Sequence, residues 1–132
     1  MPHFKADLGH LVRIREFVTD AADKLGVDAA VLDDLRLAVD EAATNIIVHG
    51  YVGSGEIEVE LSASGADLVV RLCDQAPAFD PLSRLADTIE PLGENPKPGG
   101  FGLYLIGQAM DEISYRRVDG SNELTMIKRG AI

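Results

Sequence analysis

The feature that most constrains the fold of this chain is a change in hydrophobic period near residue 55. Before it, apolar residues recur every three or four positions, the period of an amphipathic helix. The two stripes are Leu11, Ile14, Val18, Ala22 and Leu25, and then Leu32, Leu35, Val39, Ala42 and Ile46. After it, glutamates alternate with apolar residues from Glu56 to Leu61, the period of a strand with one solvated face. The pattern predicts two helices followed by strands.

Turn and cap residues divide the chain further. Gly26 is suited to end the first helix and Asp28 to cap the second, which closes at Gly50. Further strands are predicted at Leu68–Cys73, Ile113–Val118 and Glu123–Lys128, with a turn at 64–67 and a hairpin turn at Asp119–Asn122. Phe4 is assigned to a short first strand.

The segment from Ala76 to Gly100 has a different composition, because it holds five of the six prolines. A loop of this length inside one domain is usually functional or disordered. A short helix is predicted within it at Leu82–Ile89, and a further helix at Gly102–Asp111.

This order of elements favours an α+β fold, a two-layer sandwich with a mainly antiparallel sheet and helices on one face. The 132 residues are expected to form a single domain, 1–132. The alternating order of a Rossmann domain is absent, as are the sequences G-x-x-x-x-G-K-[ST] and G-x-G-x-x-G.

Composition limits the partners. The formal net charge of −10 argues against nucleic acid and leaves room for a basic protein partner. No apolar run is long enough for a membrane span, and no signal peptide is recognisable, so a cytoplasmic location is expected. The single cysteine, Cys73, is interpreted as a buried small hydrophobe.

Three segments could carry chemistry. Glu41, Asn45 and His49 are four residues apart and lie along one side of the second helix, either as a site for a metal-bound polyanion or as a solvated face. Asp74 ends a strand, where it either accepts a hydrogen bond from a ligand amine or starts a turn. Glycines 99, 100 and 102 precede a helix start that either binds an anion or acts as a hinge or cap.

The order of these segments resembles the N, G1 and G2 boxes of the GHKL ATP-binding superfamily, whose domain is the Bergerat fold. The boxes are Asp40–Tyr51, Asp74–Pro81 and Gly99–Ile106. The form D-E-A-x-T-N-x-x-x-H-G-Y and the later F-D-P are similar to the anti-sigma-factor serine kinase branch, and the resemblance covers nearly the whole chain.

The resemblance implies a role for each matching residue. Glu41 matches the catalytic carboxylate, Asn45 the Mg²⁺ ligand that bridges the phosphates of ATP, and Asp74 the acceptor for the adenine amino group. Thr125 matches a threonine that supports the adenine site beside Asp74. His49 either faces the phosphates or has a structural role. The G2 backbone that wraps the phosphates is formed by Gly99, Gly100, Phe101, Gly102 and Leu103, and residues 76–98 would be the ATP lid.

The resemblance also implies partners: a STAS-type anti-anti-sigma protein as substrate, a sigma factor, and another copy of the chain in a homodimer. One departure is Ala76, which stands where the family usually has glycine next to the adenine ring. Ala76 therefore leaves open a degenerate module that binds a protein partner without kinase activity. A catalytic domain acting on histidine and an unrelated α+β domain are further alternatives.

Overall fold

The computed structural model describes residues 2–51, 54–77 and 106–132, apart from the side chain of His49. Its helical elements are α1 (Leu11–Leu25), preceded by a 3-10 turn at Leu8–His10, and α2 (Ala29–Asn45), followed by a π-helical turn at Ile46–Gly50. The strands are β1 (His3–Lys5), β2 (Glu56–Ser64), β3 (Asp67–Asp74), β4 (Glu112–Val118) and β5 (Ser121–Lys128).

The strands form one antiparallel sheet in the order β1-β2-β3-β5-β4. Alternate residues of the central strands are buried on one face, where they pack with the apolar stripes of α1 and α2. The fully buried side chains of this core include Ile14, Val18, Leu35, Val39, Ile57, Val59, Leu68, Val70, Leu72 and Met126. The predicted α+β sandwich is therefore confirmed. Among the described residues, no helix is both long and apolar enough to cross a membrane.

Local signals account for the helix boundaries. Gly26 ends α1 with a φ of 78°, in the left-handed region that glycine enters without steric cost. Asp28 caps α2 by accepting a hydrogen bond from the Ala30 N–H at 3.0 Å. Phe4 lies in β1, as expected.

Several boundaries differ from the sequence prediction. The turn predicted at 64–67 contains only Gly65 and Ala66, because Ser64 belongs to β2 and Asp67 to β3. The β4–β5 turn contains only Asp119 and Gly120, with φ values of 47° and 80°, as in a type I′ hairpin. Ser121 and Asn122 therefore belong to β5 instead of the turn. The helix predicted to end at Asp111 ends earlier, since only residues 106–109 are helical in the described part of it and Asp111 pairs with β5 through Ile127 O. The helix predicted at 82–89 lies outside the described residues.

The sheet face opposite the helices is polar. Arg71 of β3 contacts Glu60 at 3.6 Å and Glu123 at 3.2 Å, and Arg116 of β4 contacts Glu123 at 3.2 Å. Cys73 lies on this face and is half-buried, so the prediction of a core cysteine was wrong. Partial burial, together with Glu123 and Glu58 nearby, raises the pKa of its thiol to about 11.

Candidate functional site

Asn45, the last residue of α2, is a buried polar side chain with an unsatisfied hydrogen-bonding group. It is 6% exposed, and its Nδ2 has no hydrogen-bond partner among the residues that the structure describes. A buried donor without a partner costs about 1–3 kcal/mol, so such groups usually bond to a ligand or an ordered water. A carboxamide at this position has the donor for a phosphate oxygen and the oxygen ligand that Mg²⁺ prefers, so Asn45 fits a magnesium-bound nucleotide.

Glu41 lies one helical turn before Asn45 and is partly buried. Burial raises the pKa of its carboxyl group, and the negative charge of Asp40 raises it further. Asp40 is itself bound by Arg15 of α1, whose Nε lies 2.8 Å from both carboxylate oxygens. A carboxylate with a raised pKa is a better proton acceptor near neutral pH than an ordinary glutamate.

The π-helical turn after Asn45 brings the end of α2 to the end of β3. The turn closes when the Tyr51 N–H donates to Ile46 O at 3.0 Å, and Gly50 is then buried. A Cβ placed on Gly50 would lie 3.5 Å from the Ala76 methyl. The structure therefore brings the N-box helix into contact with the residue two positions after Asp74.

Asp74 has one oxygen held by the protein and one that remains available. It is 6% exposed, and its Oδ1 accepts hydrogen bonds from Ala76 N at 3.0 Å and Asn122 Nδ2 at 2.9 Å. Oδ2 has no hydrogen-bond partner among the residues that the structure describes. A carboxylate fixed in this way can accept a hydrogen bond from a ligand amine without first being ordered.

Asn122 is the centre of a polar network that sequence reasoning missed. Its Nδ2 also lies 3.2 Å from the carbonyl oxygens of Ala76 and Pro77, and its Oδ1 accepts from Tyr115 Oη and Arg117 Nη1. Arg117 Nη1 donates to Ala76 O as well, at 2.7 Å. The β4–β5 hairpin therefore holds the segment from Asp74 to Pro77 in place.

Thr125 does not lie beside Asp74. Asp74 pairs with Asn122, whereas Thr125 pairs with Arg71 and lies on the polar face of the sheet, away from the helices. The geometry therefore gives Asn122, and not Thr125, the supporting position next to Asp74. The two-residue Asp119-Gly120 turn is the signal that could have shown this, because it places Asn122 in phase with Leu124 and Met126.

The remaining predicted site residues lie outside the described part of the structure. These are the side chain of His49, the G2 residues Gly99, Gly100, Phe101, Gly102 and Leu103, and the lid after Pro77. Their roles stay predictions.

Comparison with known proteins gives one consistent result. Residues 4–128 match the sequence family described as histidine kinase-like ATPase domain. A serine-protein kinase RsbW from Bacillus licheniformis is 30% identical over 126 residues, covering 87% of this chain and 75% of the relative. A serine/threonine-protein kinase BtrW from Bordetella bronchiseptica is 31% identical over 99 residues, covering 74% of this chain and 70% of the relative.

Solved structures show the same fold. The RsbU and RsbW domains of a Mycobacterium tuberculosis protein align with a TM-score of 0.62 at 15% identity, covering 98% of this chain and 32% of that chain. The mycobacterial sensor histidine kinase MprB aligns with a TM-score of 0.55 at 14% identity, covering 97% of both chains. At these identities the likeness concerns the fold alone.

Proposed function

Since the chain belongs to the histidine kinase-like ATPase domain family, in the branch of RsbW-type serine-protein kinases, we propose that it is an ATP-dependent kinase that phosphorylates a serine of a partner protein. The observation that carries this proposal is Asn45, a buried carboxamide with an unpartnered Nδ2, on a helix whose end contacts the segment after Asp74. In this proposal, Asn45 and Asp74 serve one nucleotide site.

Each described residue has a distinct task in this proposal. Asp74 Oδ2 accepts a hydrogen bond from the adenine amino group while Oδ1 stays bound to Asn122. Asn45 holds Mg²⁺, which when bound neutralises phosphate charge as in other phosphoryl transfers. Glu41 takes the proton from the serine hydroxyl, and its raised pKa suits that task. The G2 residues Gly99 to Leu103, which lie outside the described residues, are expected to provide backbone N–H groups for the phosphates.

The proposal takes Ala76 to be compatible with nucleotide binding. Its side chain is 1% exposed, and its methyl lies close to Gly50. The backbone groups of Ala76 are held by Asp74, Asn122 and Arg117. A methyl that is buried beside Gly50 supports the kinase over the degenerate binding module.

The proposed partners follow from the branch of the family. The substrate is a STAS-type anti-anti-sigma protein, and the kinase also sequesters a sigma factor in the cytoplasm, as a homodimer. The formal net charge of −10 favours partner surfaces that are basic. The proposed partners are proteins, and we propose no direct contact with nucleic acid.

Transfer of labelled phosphate tests the proposal. The chain is incubated with radiolabelled ATP, Mg²⁺ and the candidate STAS protein, and Glu41→Gln is compared with wild type. Loss of the base is expected to slow transfer by about 10²–10⁴-fold while ADP binding, measured by calorimetry, is retained. Glu16→Gln, the same exchange at an exposed position of α1, is the matched control and should transfer normally.

Two outcomes would contradict the kinase proposal. Equal transfer by wild type and Glu41→Gln would remove Glu41 from its assigned role. A tight complex with the STAS protein or the sigma factor, with neither label transfer nor ADP binding, would identify the binding module instead.

A further inference from the structure

Tyr51 lies where α2, β2 and β3 meet, and the nucleotide chemistry described above does not use it. Its backbone N–H closes the π-helical turn by donating to Ile46 O at 3.0 Å. Its side chain reaches the sheet at the point where β2 and β3 separate, one residue beyond the Ile57–Asp74 pair. Tyr51 therefore links the helix that carries Asn45 to the strand that ends at Asp74.

The Tyr51 hydroxyl makes three hydrogen bonds to the backbone at this junction. It donates to Glu56 O at 2.6 Å and accepts from Glu56 N at 3.3 Å and Gln75 N at 2.9 Å. The peptide N–H of Gln75 follows Asp74 directly, so this bond fixes the backbone on one side of Asp74. The hydroxyl thus connects the two strand ends after the regular ladder has stopped.

Gly55 leaves the space that the Tyr51 ring needs. A Cβ built on Gly55 would collide with the ring atoms Cε1, Cζ and Cδ1 of Tyr51. Any other residue at position 55 would force the ring to move, and the hydroxyl would move with it. The ring position is therefore determined from two directions, by the Gly55 backbone and by the hydroxyl bonds.

We propose that Tyr51 is a positioning residue of the adenine site, which holds the peptide after Asp74 so that the free carboxylate oxygen is aimed at the adenine amino group. The inference rests on the proposed nucleotide site. Asn122 holds the Asp74 carboxylate from β5, and Tyr51 holds its backbone from α2. Because both contacts are present before the nucleotide binds, the Asp74 carboxylate is already positioned. Binding then loses little free energy to the ordering of this side chain.

The test compares ADP with inosine diphosphate, which lacks the amino group that Asp74 would read. Calorimetry with Mg²⁺ is done on wild type, Tyr51→Phe, Asp74→Asn and the double variant. We expect Tyr51→Phe to weaken ADP by about 10-fold and inosine diphosphate by less than about 2-fold, since one positioned hydrogen bond is lost. In the Asp74→Asn background, Tyr51→Phe should cause no further loss of ADP affinity, because the two residues act on one contact.

Two additional variants separate positioning from stability. Gly55→Ala displaces the Tyr51 ring and should therefore reduce the preference for ADP over inosine diphosphate, as Tyr51→Phe does. Thr19→Val removes a hydroxyl that donates to Arg15 O and accepts from Arg36 Nε in the helical layer. It is expected to lower the melting temperature and to leave the ratio of the two affinities unchanged.

The outcomes distinguish the inference from the proposed function. If wild type prefers ADP, Asp74→Asn abolishes the preference and Tyr51→Phe keeps it, the positioning role is overturned and the nucleotide site stands. Equal weakening of both nucleotides by Tyr51→Phe would show a purely structural role. If wild type binds neither nucleotide, both the site and the inference are overturned.

Discussion

At the scale of single residues, Asn45 and Asp74, two of the buried polar side chains, differ in a way that matters for function. Asp74 is held by two protein donors, whereas the Nδ2 of Asn45 has no partner in the described part of the chain. Folding alone selects against such a group, because water would have satisfied it in the unfolded chain. Retaining it is understandable when a ligand completes the site.

The raised pKa of Glu41 has a consequence for stability that can be measured. Its pKa in the folded state lies above the ordinary value of 4.5, so ionisation costs more in the folded than in the unfolded protein. Below pH 4.5 the carboxyl group is protonated in both states, and the free energy of unfolding is not lowered. The loss of stability develops as pH rises from 4.5 through the folded-state pKa. Glu41→Gln removes it and should raise the melting temperature by about 1–3 °C at pH 7.5, with a smaller gain at pH 5.

Thermal melts across this pH range, followed by circular dichroism, check the sign. Glu16→Gln is again the control, because it removes an equal charge from an exposed position. A gain for Glu41→Gln that stayed constant with pH would contradict the assigned cause.

At the scale of elements, the site depends on the ends of secondary structures instead of their centres. The π-helical turn after α2 places Gly50 against Ala76, and the β4–β5 hairpin places Asn122 against Asp74. Both junctions need an exact residue count, since one residue more or less in the hairpin turn would rotate Asn122 to the other face of the sheet.

The hairpin turn is therefore a point of sensitivity. Gly120 has a φ of 80°, which a residue with a Cβ adopts at a cost of about 1 kcal/mol. Gly120→Ala should lower the melting temperature by about 3–5 °C and weaken ADP binding through Asn122. Gly120→Asn tolerates this conformation better and should recover most of both losses; equal losses for the two variants would show that backbone strain is not the cause.

At the scale of the whole molecule, acidic residues outnumber basic residues. The chain carries 22 acidic and 12 basic residues, and most ion pairs between described residues lie on exposed or half-exposed side chains. Exposed pairs contribute little, about 0–1 kcal/mol each, whereas the excess negative charge repels itself throughout the compact state. The net effect of charge on stability is therefore expected to be unfavourable.

Salt should then stabilise the protein. Raising NaCl from about 20 mM to about 200 mM shortens the screening length from roughly 20 Å to roughly 7 Å and weakens the net repulsion. We expect the melting temperature at pH 7.5 to rise by a few degrees, and by less at pH 5, where part of the acidic charge is neutralised. A melting temperature that falls with salt would show that the ion pairs outweigh the repulsion.

Much of the fold could be predicted because its signals are local. The periods of Leu11–Leu25 and Glu56–Leu61, the Gly26 and Asp28 caps and the Asp119-Gly120 turn each depend on neighbours in the chain. The resemblance to the kinase family rested on short motifs of the same kind. The extent of the hairpin turn was less predictable, since polar Ser121 and Asn122 are equally typical of turns and of strand ends.

The sequence by itself determined the element order, the family and the positions of Glu41, Asn45 and Asp74 in their elements. Only the tertiary structure decided which side chains meet Asp74: Asn122 from β5, and not Thr125, and the Tyr51 hydroxyl at the next peptide. The physical reason is that strand pairing and helix docking join residues 24 and 48 positions apart in the chain. A shift of one residue in register exchanges the partner without changing any local preference.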